Sequence, residues 1–158
     1  MNKINSNDLK EYTWASPKGK FVGAGKGLSE ALGWDPAGGA RAGHPFAVEI
    51  LRIRAGQTPY PYHSHSAQWE FYHVISGKAM VRDESGKTEV AEGDAFLFGP
   101  GEAHQLINES AEDVLIYVVA DNPIGESCHY PDSGKWLVRS PERRILRGEA
   151  LDYFDGEE

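Results

Sequence analysis

From Phe46 onward the chain alternates short runs rich in Val, Ile, Phe and Tyr with clusters of turn residues. The pattern predicts strands at 46–54, 61–65, 69–76, 78–83, 87–91, 95–98, 103–108 and 113–120. "DESGK" between the fourth and fifth reads as a hairpin turn, with Gly86 suited to a positive φ. No long helical period interrupts these runs, so the pattern points to an all-β sandwich or barrel. No internal repeat is visible, which favours one barrel over two.

The flanks are less regular. Residues 1–45 begin polar and are then punctuated by glycines, with "LSEALG" fit for a turn and a half of helix stopped at Gly33. "GAGKG" has a phosphate-loop look, but Lys26 is followed by Gly27 rather than Ser or Thr, and the reading fails. After Ala120 the run "DNPIGESCHYPDSGKW" is loop-like, and "PERRILRGEALDYFDGEE" is expected to hold a short helix before an acidic end. The expected organisation is an N-terminal extension at 1–45, a barrel at 46–122 and a C-terminal loop and tail at 123–158.

Length and charge narrow the function. A chain of 158 residues suits one domain with a real core. A formal net charge of −8, without a basic patch, argues against nucleic acid or an anionic membrane as partner. A single cysteine, Cys128, excludes an intramolecular disulfide and has no legible activating neighbourhood beyond His129. The N-terminus lacks an apolar signal core and no stretch reaches membrane-spanning length, so a cytoplasmic protein is expected.

The candidate chemistry lies in "YPYHSHSAQWEFYHVISG". His63 and His65 are two apart and share one face of a strand. Glu70 follows His65 at an odd offset, so it joins them only if a bend at Ser66, Ala67 and Gln68 resets the register. His104, in "GPGEAHQLIN", is a fourth candidate beyond the turn at Pro100 and Gly101. Three imidazoles and a carboxylate suit Fe, Mn, Ni, Co, Cu or Zn. His73 shares a face with Trp69, Phe71 and Ile75 and turns away from Glu70, Tyr72 and Val74. His44 and His129 fall in loops, where surface roles are expected. Spacing alone leaves two readings open, a ligand set or polar strand positions bonded to water.

These residues also carry a specific resemblance. Gly56, His63, His65, Glu70 and Gly77 resemble the first cupin motif, and Gly93, Gly101, His104 and Asn108 resemble the second. The match departs from the motifs in one extra residue before His63 and in Gly99 standing at the usual proline position. The resemblance implies a double-stranded β-helix, or jelly-roll barrel, with His63, His65, Glu70 and His104 holding one divalent transition metal ion. It also points to a group of small single-domain bacterial cupins of unassigned function, some carrying sugar-phosphate isomerase labels. Open cupin sheets commonly cover an edge or apolar face with a second copy, so a homodimer is expected.

With a divalent ion the site would carry a net charge near +1, and six-coordinate geometry would leave two positions for substrate, water or dioxygen. By parity with Glu70, Tyr72 points inward as the expected substrate-binding residue. Parity does not decide which alternate set of strand 113–120 faces in. Phe96, Phe98 and Leu106 suggest an apolar lining, and no Arg or Lys cluster lies near the motifs, which favours a small, partly apolar substrate over a sugar phosphate. Two function classes remain: a metal-dependent enzyme of oxygenase or isomerase type, and a non-catalytic module that binds a small molecule through its metal.

Overall fold

The computed structural model describes residues 1–33, 45–139 and 142–157. The expectations for His44 and for the stretch around it lie outside the described residues. Among the described residues a 3-10 turn at Ser6–Asp8, one short α-helix and thirteen strands form, as β1 (Tyr12–Ala15), β2 (Val22–Gly27), α1 (Leu28–Ala31), β3 (Phe46–Ile53), β4 (Ser64–His65), β5 (Glu70–Ser76) and β6 (Lys78–Asp83). The chain continues through β7 (Gly86–Ala91), β8 (Ala95–Phe98), β9 (Gln105–Ile107), β10 (Val114–Asp121), β11 (Ser127–Tyr130), β12 (Lys135–Val138) and β13 (Arg144–Leu146). The eight strands expected from the sequence correspond to β3 through β10.

Three antiparallel sheets result, ordered β1-β2-β3-β10-β5-β8, β13-β12-β11-β4 and β7-β6-β9. Leu51, Ile53, Val74, Val114, Ile116 and Val118 on the inner face of the first sheet pack against Ala79, Val81, Val90 and Leu106 of the third. In β10 buried and half-buried residues alternate strictly, which settles that Val114, Ile116 and Val118 face in.

The turn residues Gly77 and Asn108 have local causes. Gly77 sits at φ 78°, and a Cβ there would lie 2.5 Å from the Asp113 carbonyl oxygen, so the β5 to β6 link tolerates no side chain. The Asn108 amide donates to the carbonyls of Ile53 at 2.8 Å and Glu112 at 2.7 Å, closing the turn into β10.

The flanks depart from expectation. Glycines that read as loop punctuation lie in β2, where Gly23 pairs with Trp14 and Gly25 with Tyr12 across β1. A Cβ on Gly23 would lie 2.2 Å from the Trp14 ring, so the glycine is there to admit the indole. At the other end, the expected loop forms β11 and β12, and "RIL" of the expected helix is the strand β13. Pairing across the sheet overrides local propensity there: Ile145 lies opposite Leu137, whose other neighbour is Cys128. The helix expected at "LSEALG" is the single turn α1, followed by Gly33 at φ 104°. No helix of the described residues is long and apolar enough to cross a membrane.

Candidate metal centre

His63 lies just before β4, His65 ends it, Glu70 opens β5 and His104 precedes β9. The strand β4 is only two residues long, because the chain leaves it at His65 and bends through Ser66 to Gln68 before entering β5. The register reset that the odd offset demanded is therefore made. His63 and His104 are directly opposite across an antiparallel bridge, with ring centroids 4.8 Å apart. His63, Glu70 and His104 each bring one ligand atom within 4.8 Å of the other two. His65 reaches them through Glu70, with its Nε2 3.4 Å from Oε2 of that carboxylate.

The other ring nitrogens are all engaged. Nδ1 of His63 donates to the Pro61 carbonyl at 2.8 Å, Nδ1 of His104 to the Glu102 carbonyl at 3.1 Å, and Nδ1 of His65 to Glu126 Oε1 at 3.0 Å. Each acceptor requires the proton on Nδ1, so Nε2 is the atom each ring offers to the centre. Nε2 of His104 is 2.9 Å from Glu70 Oε2, while Nε2 of His65 is buried without a hydrogen-bond partner. A buried nitrogen left unpaired is costly, and three imidazoles plus one carboxylate match the donor set of a borderline transition metal. The residues present fit such an ion.

Burial and neighbours set the charge of these groups. Burial, reinforced by His104, pushes the His63 pKa down to about 4. Burial opposes charge on His65, but Cys128, Glu126 and the nearby Glu70 carboxylate overcome it and push the pKa up to about 12. Burial likewise opposes the Glu70 carboxylate, yet His104 and His65 hold it well below the usual range. The Tyr72 hydroxyl donates to Glu70 Oε2 at 2.9 Å and lies 3.3 Å from His104 Nε2; burial and Glu70 raise its pKa well above that of a free phenol.

Parity placed His73 correctly, whereas His129, expected in a loop, lies in β11. His73 is exposed on the outer face of β5, and His129 stacks on Trp136 with centroids 4.3 Å apart. The lining differs from expectation. A cavity of about 380 Å³ opens over His63, His65, Glu70 and Tyr72, with Tyr60, Gln68, Glu49, Tyr130 and Arg139 among its walls. Phe96, Phe98 and Leu106 do not line it, because they belong to the core: Phe96 stacks on Tyr72, and Phe98 on His104 with centroids 4.0 Å apart. Sequence reading missed the polar walls because they come from β3, the 66–68 bend and the β11–β12 sheet, which only the folded topology brings to one place. Burial followed by Glu30 raises the Glu49 pKa, against a hydrogen bond donated by Tyr12.

A second buried triplet, His65, Glu126 and Cys128, shares the His65 ring. Its carboxylate is already taken, since Glu126 accepts the N–H groups of Ser66 at 3.2 Å, Ala67 at 3.0 Å and Gln68 at 2.9 Å. The carboxylate of the first group, Glu70, accepts no backbone N–H in this way among the described residues and lines the cavity.

Comparison with known proteins supports the fold. Residues 49–120 match the family model described as a Cupin domain. A search of curated proteins found no match. Among solved structures, a proposed sugar phosphate isomerase from Acidithiobacillus ferrooxidans aligns at 22% identity over 92% of each chain, with a TM-score of 0.78. A sugar phosphate isomerase from Silicibacter pomeroyi aligns at 21% identity over 96% of this chain and 97% of its own, with a TM-score of 0.76. A predicted oxalate decarboxylase from Thermotoga maritima aligns at 16% identity over 77% of this chain and 99% of its own, with a TM-score of 0.61. At such identities the likeness carries the fold alone, and the family match identifies residues 49–120 of this chain as a cupin domain.

Proposed function

We propose that the protein is a metal-dependent enzyme, of oxygenase or isomerase type, acting on a small oxygen-rich organic molecule. The observation that carries this reading is the convergence of ring nitrogens beside Glu70 at the floor of an open cavity. A divalent ion held by His63, His65, Glu70 and His104 would supply Lewis-acid or redox chemistry to an oxygen ligand.

The chain's own residues suggest how a substrate is held. Arg139 is the one Arg or Lys lining the cavity among the described residues, which suits a single carboxylate better than a phosphate. Tyr60, Tyr130 and Gln68 add polar groups for hydroxyls and carbonyls. Glu49, with its raised pKa, is suited to hold or accept a proton on the substrate, as an isomerisation requires. Tyr72 keeps its proton on Glu70 Oε2 and fixes that carboxylate's orientation.

Two proteins of the same fold carry the name sugar phosphate isomerase, and Glu49, Tyr60, Gln68 and Tyr130 among the lining residues support an isomerase reading. The reading is tested by loading the protein separately with Fe(II), Mn(II), Ni(II) and Zn(II). Oxygen uptake is then followed with small hydroxy acids and phenols, and isomerisation of hydroxyaldehydes by NMR. Turnover with at least one metal is expected. The alternative, a non-catalytic module, draws on the fact that four protein ligands saturate a tetrahedral zinc ion. A cobalt-substituted form that stays four-coordinate and is unmoved by small carboxylates would favour it and sink the enzyme.

A further inference from the structure

We infer that Glu126, outside the cupin domain proper, is a positioning residue that commits His65 to the metal centre through Nε2. The inference rests on the metal-centre reading and extends it to a part of the chain that no metal-binding motif covers.

The argument begins with parity. His65 and Glu70 lie an odd number of positions apart, so a continuous strand would send them to opposite faces. The fold solves this with the bend at Ser66, Ala67 and Gln68, whose three successive N–H groups all point at the Glu126 carboxylate. The same carboxylate accepts the Nδ1 proton of His65 at 3.0 Å. One side chain therefore fixes both the ring and the turn that brings Glu70 beside it.

The chemistry of the position is demanding. Glu126 is 2% exposed, and a carboxylate buried to that degree is tolerated only when its lone pairs are filled. Five donors fill them: one ring N–H, three backbone N–H groups and, at 3.9 Å, the Cys128 thiol. With Nδ1 so held, the buried Nε2 is left with no hydrogen-bond partner and lies 3.4 Å from Glu70 Oε2. A carboxylate behind a histidine ligand fixes its tautomer and raises its basicity, and loss of such a partner typically weakens metal binding by roughly 10 to 100-fold. His63 and His104 differ, since backbone carbonyls hold their Nδ1 atoms. Glu126 reaches the site from the segment joining β10 to β11, so the C-terminal sheet completes the centre.

The test uses Zn(II) as a diamagnetic probe on the full chain. Dissociation constants come from competition with a chelator, and the histidine Nδ1–H signals of the zinc-loaded protein from ¹H–¹⁵N NMR. Glu126→Ala is expected to bind zinc about 10 to 100-fold more weakly and to lose the protected Nδ1–H signal of His65. The signals of His63 and His104 should persist. Glu126→Gln, which keeps an oxygen for His65 but loses the charge, should retain the signal and weaken binding by less, about 3 to 10-fold. It decides the matter if the alanine variant does not fold. Zinc affinity within twofold of the parent in the variant that folds would overturn the inference. So would equal loss of all three signals, which would mark Glu126 as merely structural. A parent protein that binds no zinc would instead sink the metal-centre reading itself.

Discussion

His63 and His104 exchange both of their backbone hydrogen bonds, N–H to carbonyl at 3.1 and 2.8 Å, so two residues forty-one positions apart become direct cross-strand neighbours. Their rings consequently rise from the same face of the barrel, which is what lets residues of two separate motifs act on one ion. His73, on the outer face of β5, has no such geometry.

Alanine substitution should separate these histidines. His104→Ala and His63→Ala are each expected to lower metal content at least about tenfold, while His73→Ala leaves it at the parent value. Elemental analysis of purified protein checks this, and equal loss in all three would mean that the face assignment is wrong.

The pKa directions give the metal-free protein a stability optimum near neutrality. His63, pushed down to about 4, favours folding above its ordinary value of 6.5 and loses that contribution as pH falls toward 4. Glu70, held low, adds a loss below its ordinary 4.5. His65 works in the other direction: its contribution is whole below 6.5 and drains as pH rises toward about 12. Thermal melts of chelator-treated protein should therefore peak at about pH 6.5 and fall on both sides. A melting temperature that is flat from pH 7 to about pH 9 would contradict the His65 assignment.

Metal affinity should run the other way on the alkaline side. Binding through Nε2 displaces the His65 proton, so the apparent affinity is expected to rise about tenfold per pH unit between about pH 7 and 9. Calorimetry in buffers of different ionisation enthalpy measures the released proton, and a value near zero would show that His65 is not a ligand.

The first hairpin offers a test of packing. Gly23→Ala would place a methyl group inside the Trp14 ring, whose Nε1 donates to the Pro59 carbonyl at 3.0 Å. A loss of about 1 to 3 kcal/mol is expected in denaturant unfolding, since the indole must leave its seat. Unchanged stability would show that the β1–β2 contact is not formed.

The expected homodimer stays a proposal, and the six-stranded sheet suggests where it forms. Phe71 and Leu97 are paired across β5 and β8 and are 38% and 52% exposed, with Trp69 and Ile75 exposed on β5's flank and end. We propose a second copy as the cover. Sedimentation at micromolar concentration should give twice 17.4 kDa, and Leu97→Glu should return the monomer. A parent that is only monomeric would rule this out.

Strands β3 to β10 were legible because their apolar period and turn residues are local signals, and the nearness of His63, Glu70 and His104 was legible in the motif spacing, although parity alone would have sent Glu70 to the other face. The face of His73 followed from parity alone. What escaped was long-range. Gly23 and Gly25 look like loop residues until Trp14 and Tyr12 cover them. Glu126 and Arg139 sit in a stretch without periodicity and reach the site only because β11 pairs with β4. The apolar part of the cavity was assigned to the wrong residues for the same reason, since Phe96 and Phe98 pack behind Tyr72 and His104 while Leu51, Val118 and Leu137 line it.

The most direct test of the metal centre is X-ray absorption on the zinc-loaded full-length protein. The geometry of His63, His65, Glu70 and His104 predicts one ion per chain with only nitrogen and oxygen neighbours at about 2.0 to 2.2 Å. A sulfur neighbour at about 2.3 Å would mean that zinc sits instead with His65, Glu126 and Cys128, and would contradict the central claim.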